Sequence, residues 1–181
     1  MPRTSPREGK HKATRLSGSL ESFLDQVARP GCWLGGGSVA AMSTALAAAL
    51  FEKLQVSSAM ARKCLCIRRE CADLVRQDAE AFAEVIHQTR QKDRVKIRRA
   101  LQVATELQWK VLQHARWVER ACHKSGRKLK PRLESDLRCA RALAKASSEA
   151  ARGFILANVA WADDPRYRRR MQQRLRRQRF R

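Results

Sequence analysis

The sequence is poor in glycine and proline and contains no pattern typical of β-strands. Among 181 residues there are eight glycines and five prolines. No stretch alternates apolar with polar residues over the length of a strand, whereas apolar residues recur at helical spacing in several segments. These absences argue against a β-sheet protein. We therefore expect an all-α fold, a single-domain multihelical bundle of about five or six helices.

The sequence also lacks long apolar runs and paired cysteine motifs. No apolar run reaches the roughly 18 residues that a membrane-spanning helix needs, and no signal-peptide segment opens the chain. The six cysteines contain no two pairs at the spacing of a structural zinc site. We expect buried free thiols, no metal site, no membrane span and a cytoplasmic location.

Acidic residues are scarce relative to basic ones. The chain has 17 Asp and Glu against 39 Lys and Arg, a net charge of +22, and the positive charge is densest at the two ends. We predict a disordered basic N-terminal arm over 1–16, a helical domain over 17–165 and an Arg-rich C-terminal tail or helix over 166–181. Asp163-Asp164-Pro165 predicts a helix start before this last segment, because an acidic cap is followed there by a proline in the first turn. Repulsion among the arginines of that last segment should keep it frayed until a polyanion such as nucleic acid neutralises them. The alternative interpretation is that GC-rich coding produced the many arginines without any selection for binding.

Three glycines precede an alanine-rich helical segment. Gly35, Gly36 and Gly37 run into Ser38, and a serine before an apolar run is typical of a helix N-cap. We expect a helix from Val39 to about Met60 and a further helix from about Lys63. The first-turn N–H groups and the positive dipole end of the Val39 helix suit an anion. Alternatively, the glycines only let two chain segments pack closely.

Two acidic positions are candidates for chemistry. Asp78 and Phe82 stand four residues apart in a helical segment, so they share a face, and a carboxylate beside an aromatic ring suits a flat cationic ligand. If burial raises its pKa, Asp78 can act as a general acid or base; the alternative is an ion pair with Arg76 or with a neighbouring helix. Asp136 follows Ser135 at a helix start, where such pairs usually cap the helix.

Four short segments form a specific combination. They are Gly35-Gly36-Gly37-Ser38-Val39-Ala40-Ala41, Asp78-Ala79-Glu80-Ala81-Phe82, Ser135-Asp136-Leu137 and the stretch from Gly153 to Asn158-Val159. In order and separation, over about residues 19–167, they resemble the cyclodeaminase/cyclohydrolase family. That family includes the cyclodeaminase domain of formiminotransferase-cyclodeaminase and bacterial methenyltetrahydrofolate cyclohydrolases.

The resemblance implies a helical domain that acts on one-carbon derivatives of tetrahydrofolate. The activity would be that of a methenyltetrahydrofolate cyclohydrolase or a formiminotetrahydrofolate cyclodeaminase, in a homodimer with the site near the interface. The folate derivative is the substrate, and no metal or redox cofactor is implied. Asp78 matches the family's active-site aspartate and would be the catalytic acid/base. The substrate-binding residues would be Gly35, Gly36, Gly37, Ser38, Phe82, Ser135, Asp136 and Asn158.

The sequence departs from the family pattern at several places. The replacements are Leu34 and Gln108 for prolines, Leu129-Lys130 near the place of a Gly-Asn pair, and Ala162 for an asparagine. An alternative hypothesis is therefore a non-catalytic family member that binds a polyanion such as nucleic acid through its basic ends. Asp78 and the triple glycine favour the enzyme, whereas the departures and the Arg-rich segment favour the binding protein.

Overall fold

Six α-helices make up the part of the chain that the structure describes. A computed structural model describes residues 20–54, 57–125 and 130–179, and within these ranges the chain forms no β-strand, as the all-α prediction requires. The helices are α1 (Leu20–Ala28), α2 (Gly36–Lys53), α3 (Ser58–Arg90), α4 (Arg94–Ser125), α5 (Glu134–Trp161) and α6 (Pro165–Arg179), with a short 3-10 turn (Pro131–Leu133) before α5. None of the helices in these ranges offers the length of apolar sequence that a bilayer crossing requires. The arm predicted over 1–16 lies outside the described residues.

The central helix is α2, and its small side chains let three neighbours approach it closely. It packs against α3, α4 and α5. Its buried positions are mostly alanine, and Ala41, Ala47 and Ala48 are completely inaccessible to solvent. Thr44 donates its hydroxyl hydrogen to the Ala40 carbonyl oxygen (2.9 Å), so this buried polar group is satisfied within the helix. α2 is therefore surrounded by three other helices, and its small side chains permit their close packing.

A side-chain cap separates α3 from α2. The hydroxyl oxygen of Ser57 accepts a hydrogen bond from the Met60 N–H (3.3 Å) and begins α3. The sequence predicted one helix from Val39 to about Met60 and the next from about Lys63. Both boundaries are wrong, because α2 already ends at Lys53 and Ser57 caps α3, which begins at Ser58.

The sequence predicted the start of α6 correctly. A carboxylate oxygen of Asp164 accepts hydrogen bonds from the backbone N–H groups of Arg166 (2.9 Å) and Tyr167 (3.1 Å). Pro165 takes the first helical position, where its missing N–H is not needed. An acidic N-cap followed by proline therefore begins α6, as this pair commonly begins helices.

The rest of α6 packs onto the bundle, so the expected fraying is wrong. Tyr167, Met171 and Leu175 lie four residues apart, share one face and are buried. The guanidinium of Arg174 lies 4.0 Å from the centre of the Trp109 ring on α4. Apolar burial and this cation–π contact offset the repulsion among the arginines, most of which stay on the exposed side of the helix.

The cysteines are free thiols whose environments range from buried to exposed, with Cys32 intermediate. All six fall in the described part of the chain and none of them forms a disulfide. Cys64, Cys71 and Cys122 are buried, and burial raises the pKa of their thiols to about 11, about 12 and about 12. Cys66 and Cys139 are exposed, so the expected burial holds for only some of the six.

Truncating the buried face of α6 should destabilise the protein. We expect Leu175→Ala to lower the free energy of unfolding by about 2–4 kcal/mol, because it removes a buried leucine side chain. Gln172→Ala, on the exposed side of the same helix, should change it by less than about 0.5 kcal/mol. Urea denaturation followed by circular dichroism measures both variants. Equally small effects would show that α6 is not part of the core.

Candidate active site

A cavity of about 190 Å³ opens at the N-terminal end of α2. The loop before α2 contributes Trp33 and the glycines, and three helices contribute polar side chains: α3 Asp78, α4 Gln108 and α5 Asn158. The remaining walls are apolar or aromatic and consist of Phe82, Val85, Leu101, Ala104, Phe154 and Trp161. Polar groups from three different helices therefore converge on one largely apolar space.

The Asp78 carboxylate is the polar centre of this site. Its Oδ1 accepts a hydrogen bond from Gln108 Nε2 (2.6 Å), and its Oδ2 accepts one from Ser38 Oγ (2.9 Å). The backbone N–H of Ser38 donates to the same carboxylate. Asp78 is half-buried and lies within hydrogen-bond reach of Ser38 at the start of α2.

This carboxylate caps the first turn of α2 from a neighbouring helix. α2 begins at Gly36 after Gly35, which has no side chain that could cap it. The prediction that Ser38 is the N-cap is wrong, because Ser38 is the third residue of the helix. Asp78 supplies both the acceptor and the negative charge that a helix N-terminus favours. The anion expected at this helix end is thus a side chain of the protein itself.

Two glycines of α2 make room for this arrangement. A Cβ atom at Gly37 would lie 2.5 Å and 2.7 Å from the carboxylate oxygens of Asp78 and would also collide with the amide of Gln108. A Cβ atom at Gly36 would lie 2.5 Å from the Phe154 ring. Close packing, the alternative interpretation of the glycine run, is therefore what these two positions require.

Both protonation states of Asp78 have hydrogen-bond partners. Burial raises the pKa of this carboxyl group, and the hydrogen bonds from Gln108 and Ser38 oppose that rise. When Asp78 is ionised, the Ser38 hydroxyl donates to it. When Asp78 is protonated, it can donate to Ser38 Oγ, whose own hydrogen then points to the Val75 carbonyl oxygen 3.1 Å away. Because Asp78 has a hydrogen-bond partner in either state, this geometry permits it to gain and lose a proton as an acid/base catalyst must.

Aromatic side chains enclose the carboxylate. Four of the ten aromatic residues line the cavity: Trp33, Phe82, Phe154 and Trp161. Trp33 and Phe82 meet edge to face, with ring centroids 6.2 Å apart. Aromatic faces beside a negative charge suit a flat, positively charged ring system.

Sequence and fold both match known proteins. The sequence profile of formiminotransferase-cyclodeaminase matches residues 19–177. The chain belongs to the formiminotransferase-cyclodeaminase family. Among solved structures, formiminotetrahydrofolate cyclodeaminase from Thermotoga maritima is similar with a TM-score of 0.80 and 25% sequence identity, over 90% of this chain and 88% of that chain. No curated protein matches the sequence.

Six of the nine site residues predicted from the sequence line the cavity of this family member. They are Gly35, Gly36, Gly37, Asp78, Phe82 and Asn158. Ser38 lies behind them, fully buried and bonded to Asp78. The structure therefore gathers at one place residues that are up to about 120 positions apart in the sequence.

Ser135 and Asp136 lie far from this cavity within one chain. Asp136 pairs with Lys53 (3.1 Å) at the opposite end of α2, about 25 Å from its start by helix rise. Asn158 stands on the same helix as Ser135, about 35 Å further along. One continuous helix cannot bring both of its ends to one small cavity. A role for Ser135 and Asp136 at this site therefore requires a second copy of the chain.

Gln108 is a site residue that the sequence interpretation noted only as a departure from the family pattern. It is almost completely buried in α4 and donates to Asp78, and its Oε1 has no hydrogen-bond partner in the described part of the chain. Its spacing from Leu101, Ala104 and Leu112 places it on the buried face of α4. That spacing was the signal that could have assigned a glutamine to the interior.

Adding a methyl group at Gly37 should disrupt the Asp78 network. We expect Gly37→Ala to lower the free energy of unfolding by about 1–3 kcal/mol, because the new Cβ must displace the carboxylate or the Gln108 amide. Gly153→Ala is the matched control, since a Cβ there meets nothing within 4 Å. Alanine is the better helix former, so this control should be neutral or stabilising by up to about 1 kcal/mol. Urea denaturation compares them, and similar losses in both variants would contradict the packing argument.

Removing the charge of Asp78 should stabilise the protein at neutral pH. A carboxyl group whose pKa is raised by folding favours the fold while it is protonated, and this contribution is lost as pH rises through the raised pKa. Asp78→Asn avoids the loss, and its amide can donate to the free Gln108 Oε1 after that side chain turns. We expect the variant to be more stable than wild type at about pH 7 and its advantage to shrink towards about pH 4.

Denaturation at several pH values tests this expectation. Asp73→Asn, which removes an exposed carboxylate from the same helix, is the control for the change in net charge. An advantage of Asp78→Asn that stays constant, or grows as the pH falls, would contradict the raised pKa.

Proposed function

We propose that the protein acts on one-carbon derivatives of tetrahydrofolate, as a formiminotetrahydrofolate cyclodeaminase or a methenyltetrahydrofolate cyclohydrolase. Asp78 is the general acid/base in this proposal. The observation that carries it is a half-buried carboxylate with a raised pKa at the wall of an aromatic cavity. Membership of the formiminotransferase-cyclodeaminase family gives the substrate class.

The chemistry of both reactions needs such a carboxylate. In the cyclodeaminase reaction the formimino carbon, which is carried by a ring nitrogen of the pterin, is attacked by the neighbouring anilino nitrogen. The bond from this carbon to the formimino nitrogen then breaks, and ammonia leaves after that nitrogen has gained a proton. In the cyclohydrolase reaction water adds to the carbon of the methenyl group, and one carbon–nitrogen bond breaks as protons move. The methenyl group is a delocalised amidinium cation. A fixed carboxylate stabilises that cation and exchanges protons with the nitrogen or the water.

The size of the cavity fits one part of such a substrate. Pockets that enclose a whole drug-sized molecule usually have volumes of about 300–1,000 Å³. A space of about 190 Å³ accommodates a ring system and leaves the remainder of a folate outside. Trp33, Phe82 and Phe154 offer that ring system flat apolar contacts, and Asp78 faces it as the acceptor.

The cyclodeaminase reaction has the more direct support of the two. The similar structure from Thermotoga maritima is named formiminotetrahydrofolate cyclodeaminase. In this chain, Gln108 holds one carboxylate oxygen of Asp78 and Ser38 holds the other, which fixes the group without neutralising it. A fixed acid that can protonate leaving ammonia is what this reaction requires.

We also propose that the protein is a homodimer. Exposed apolar side chains lie on helices that border the cavity: Val39 and Leu46 on α2, Phe82 on α3, and Leu156 and Trp161 on α5. Such residues favour association with another protein surface. A second copy is also what would bring Ser135 and Asp136 of one chain towards the cavity of the other.

A spectroscopic assay tests the enzymatic proposal. The purified protein is incubated with formiminotetrahydrofolate or with methenyltetrahydrofolate, and the absorbance of the methenyl group is followed. We expect turnover of at least one substrate. Asp78→Asn should lower the rate by about 10²–10⁴-fold, because proton transfer by a positioned group contributes about that much. Asp73→Asn, on the same helix, should keep the activity.

Two results would overturn the assignment. Undiminished turnover by Asp78→Asn would remove the acid/base role from this residue. A wild-type protein that is folded but converts neither substrate would favour the alternative, a non-catalytic family member.

A further inference from the structure

We propose that the exposed side of α6 is a binding surface for nucleic-acid duplexes. The helix contains no acidic residue and its solvent-facing side is dominated by arginine. We call this side the arginine face, and it consists of Arg166, Arg168, Arg169, Arg170, Arg176 and Arg177. The helix is about 22 Å long, so its positive charge is concentrated over a distance that covers several phosphates of a duplex.

The protein fixes the backbone that carries these arginines. Tyr167, Met171 and Leu175 anchor the opposite side of α6 in the core. Near the end of the helix, Arg116 of α4 donates to the Gln178 carbonyl oxygen (3.0 Å). A surface whose backbone is already ordered loses less conformational freedom on binding than a flexible tail does.

Neighbouring carboxylates already have other partners. Glu106 of α4 pairs with Arg174 at 2.6 Å, and Arg174 is not part of the arginine face. Asp164 accepts hydrogen bonds from the first backbone N–H groups of α6. Glu106 is thus engaged with an arginine outside the arginine face, whereas Asp164 also attracts Arg170 electrostatically.

The way the helix is packed favours nucleic acid over an anionic membrane. A helix that lies in a membrane surface inserts an apolar side among the lipids. The apolar side of α6 is buried in the protein, and over residues 165–178 the exposed side offers only arginine, glutamine and proline. Guanidinium groups bind phosphate oxygens in pairs of hydrogen bonds, and backbone phosphates are the same in every sequence. We therefore expect binding that depends strongly on salt and little on base sequence.

Neutralising substitutions test this surface better than deletion of the helix does. Removing α6 would also remove Tyr167, Met171 and Leu175 from the core, so a loss of binding would be confounded by unfolding. The test variant is R168Q/R169Q/R176Q in the full chain. The matched control is R62Q/R69Q/R120Q, which removes the same charge from exposed positions on α3 and α4.

The measurement is fluorescence anisotropy with a random-sequence DNA duplex of about two helical turns, over a salt series. If each of the three arginines contacts one phosphate, the slope of log K against log salt should be smaller by about 2.7 in the test variant than in wild type. Affinity at low salt should fall at least about tenfold further in the test variant than in the control. Both variants should keep the native circular dichroism spectrum.

Three results would overturn the proposal. The first is a test variant that binds with the wild-type affinity and slope. The second is an equal loss in the test variant and the control, which would mean that net charge alone attracts DNA. The third is binding of the wild-type protein to vesicles of phosphatidylcholine and phosphatidylserine but not to the duplex. None of these outcomes depends on whether the cavity at the start of α2 is catalytic.

Discussion

The fold and the site depend on one interaction, the hydrogen bonding between the first turn of α2 and the acceptor side chain of Asp78 on α3. Asp78 accepts hydrogen bonds from the side chain and the backbone of Ser38, and it accepts a further one from the side-chain amide of Gln108 on α4. Three helices are thereby tied together at a single charged group. The interaction demands a residue without a Cβ at Gly37, because any side chain there would occupy the space of the carboxylate. The alanine-rich surface of α2 meets the same demand for close approach along the rest of the helix.

Local sequence rules accounted for the helices and for part of the site. Apolar spacing predicted an all-helical bundle, and Asp164 followed by Pro165 predicted the start of α6, because these signals act within one or two turns. The same rules placed the N-cap of α2 at Ser38. They erred because the acceptor for that turn comes from Asp78, 40 residues away, and a local pattern contains no information about such a partner.

The other wrong predictions concern residues whose distances in space cannot be read from the sequence. Ser135 and Asn158 appeared to belong to one site, but the uninterrupted helix α5 keeps them at opposite ends of the bundle. The Arg-rich segment appeared too repulsive to order. Its three buried side chains and the stacking of Arg174 on Trp109 of α4 supply the compensation, and both require other helices of the bundle.

Because Asp78 both caps α2 and lines the cavity, the cavity stays intact only while α2 and α3 remain in contact. If α3 moves away from α2, the first turn of α2 loses its acceptor and the cavity loses its acidic wall in the same event. Local opening of this contact and loss of the ligand site are therefore one equilibrium. A molecule bound in the cavity would hold the two helices together and slow the exchange of the Ser38 amide hydrogen with solvent. The exchange rate of the Ser38 amide hydrogen therefore reports whether a molecule is bound in the cavity.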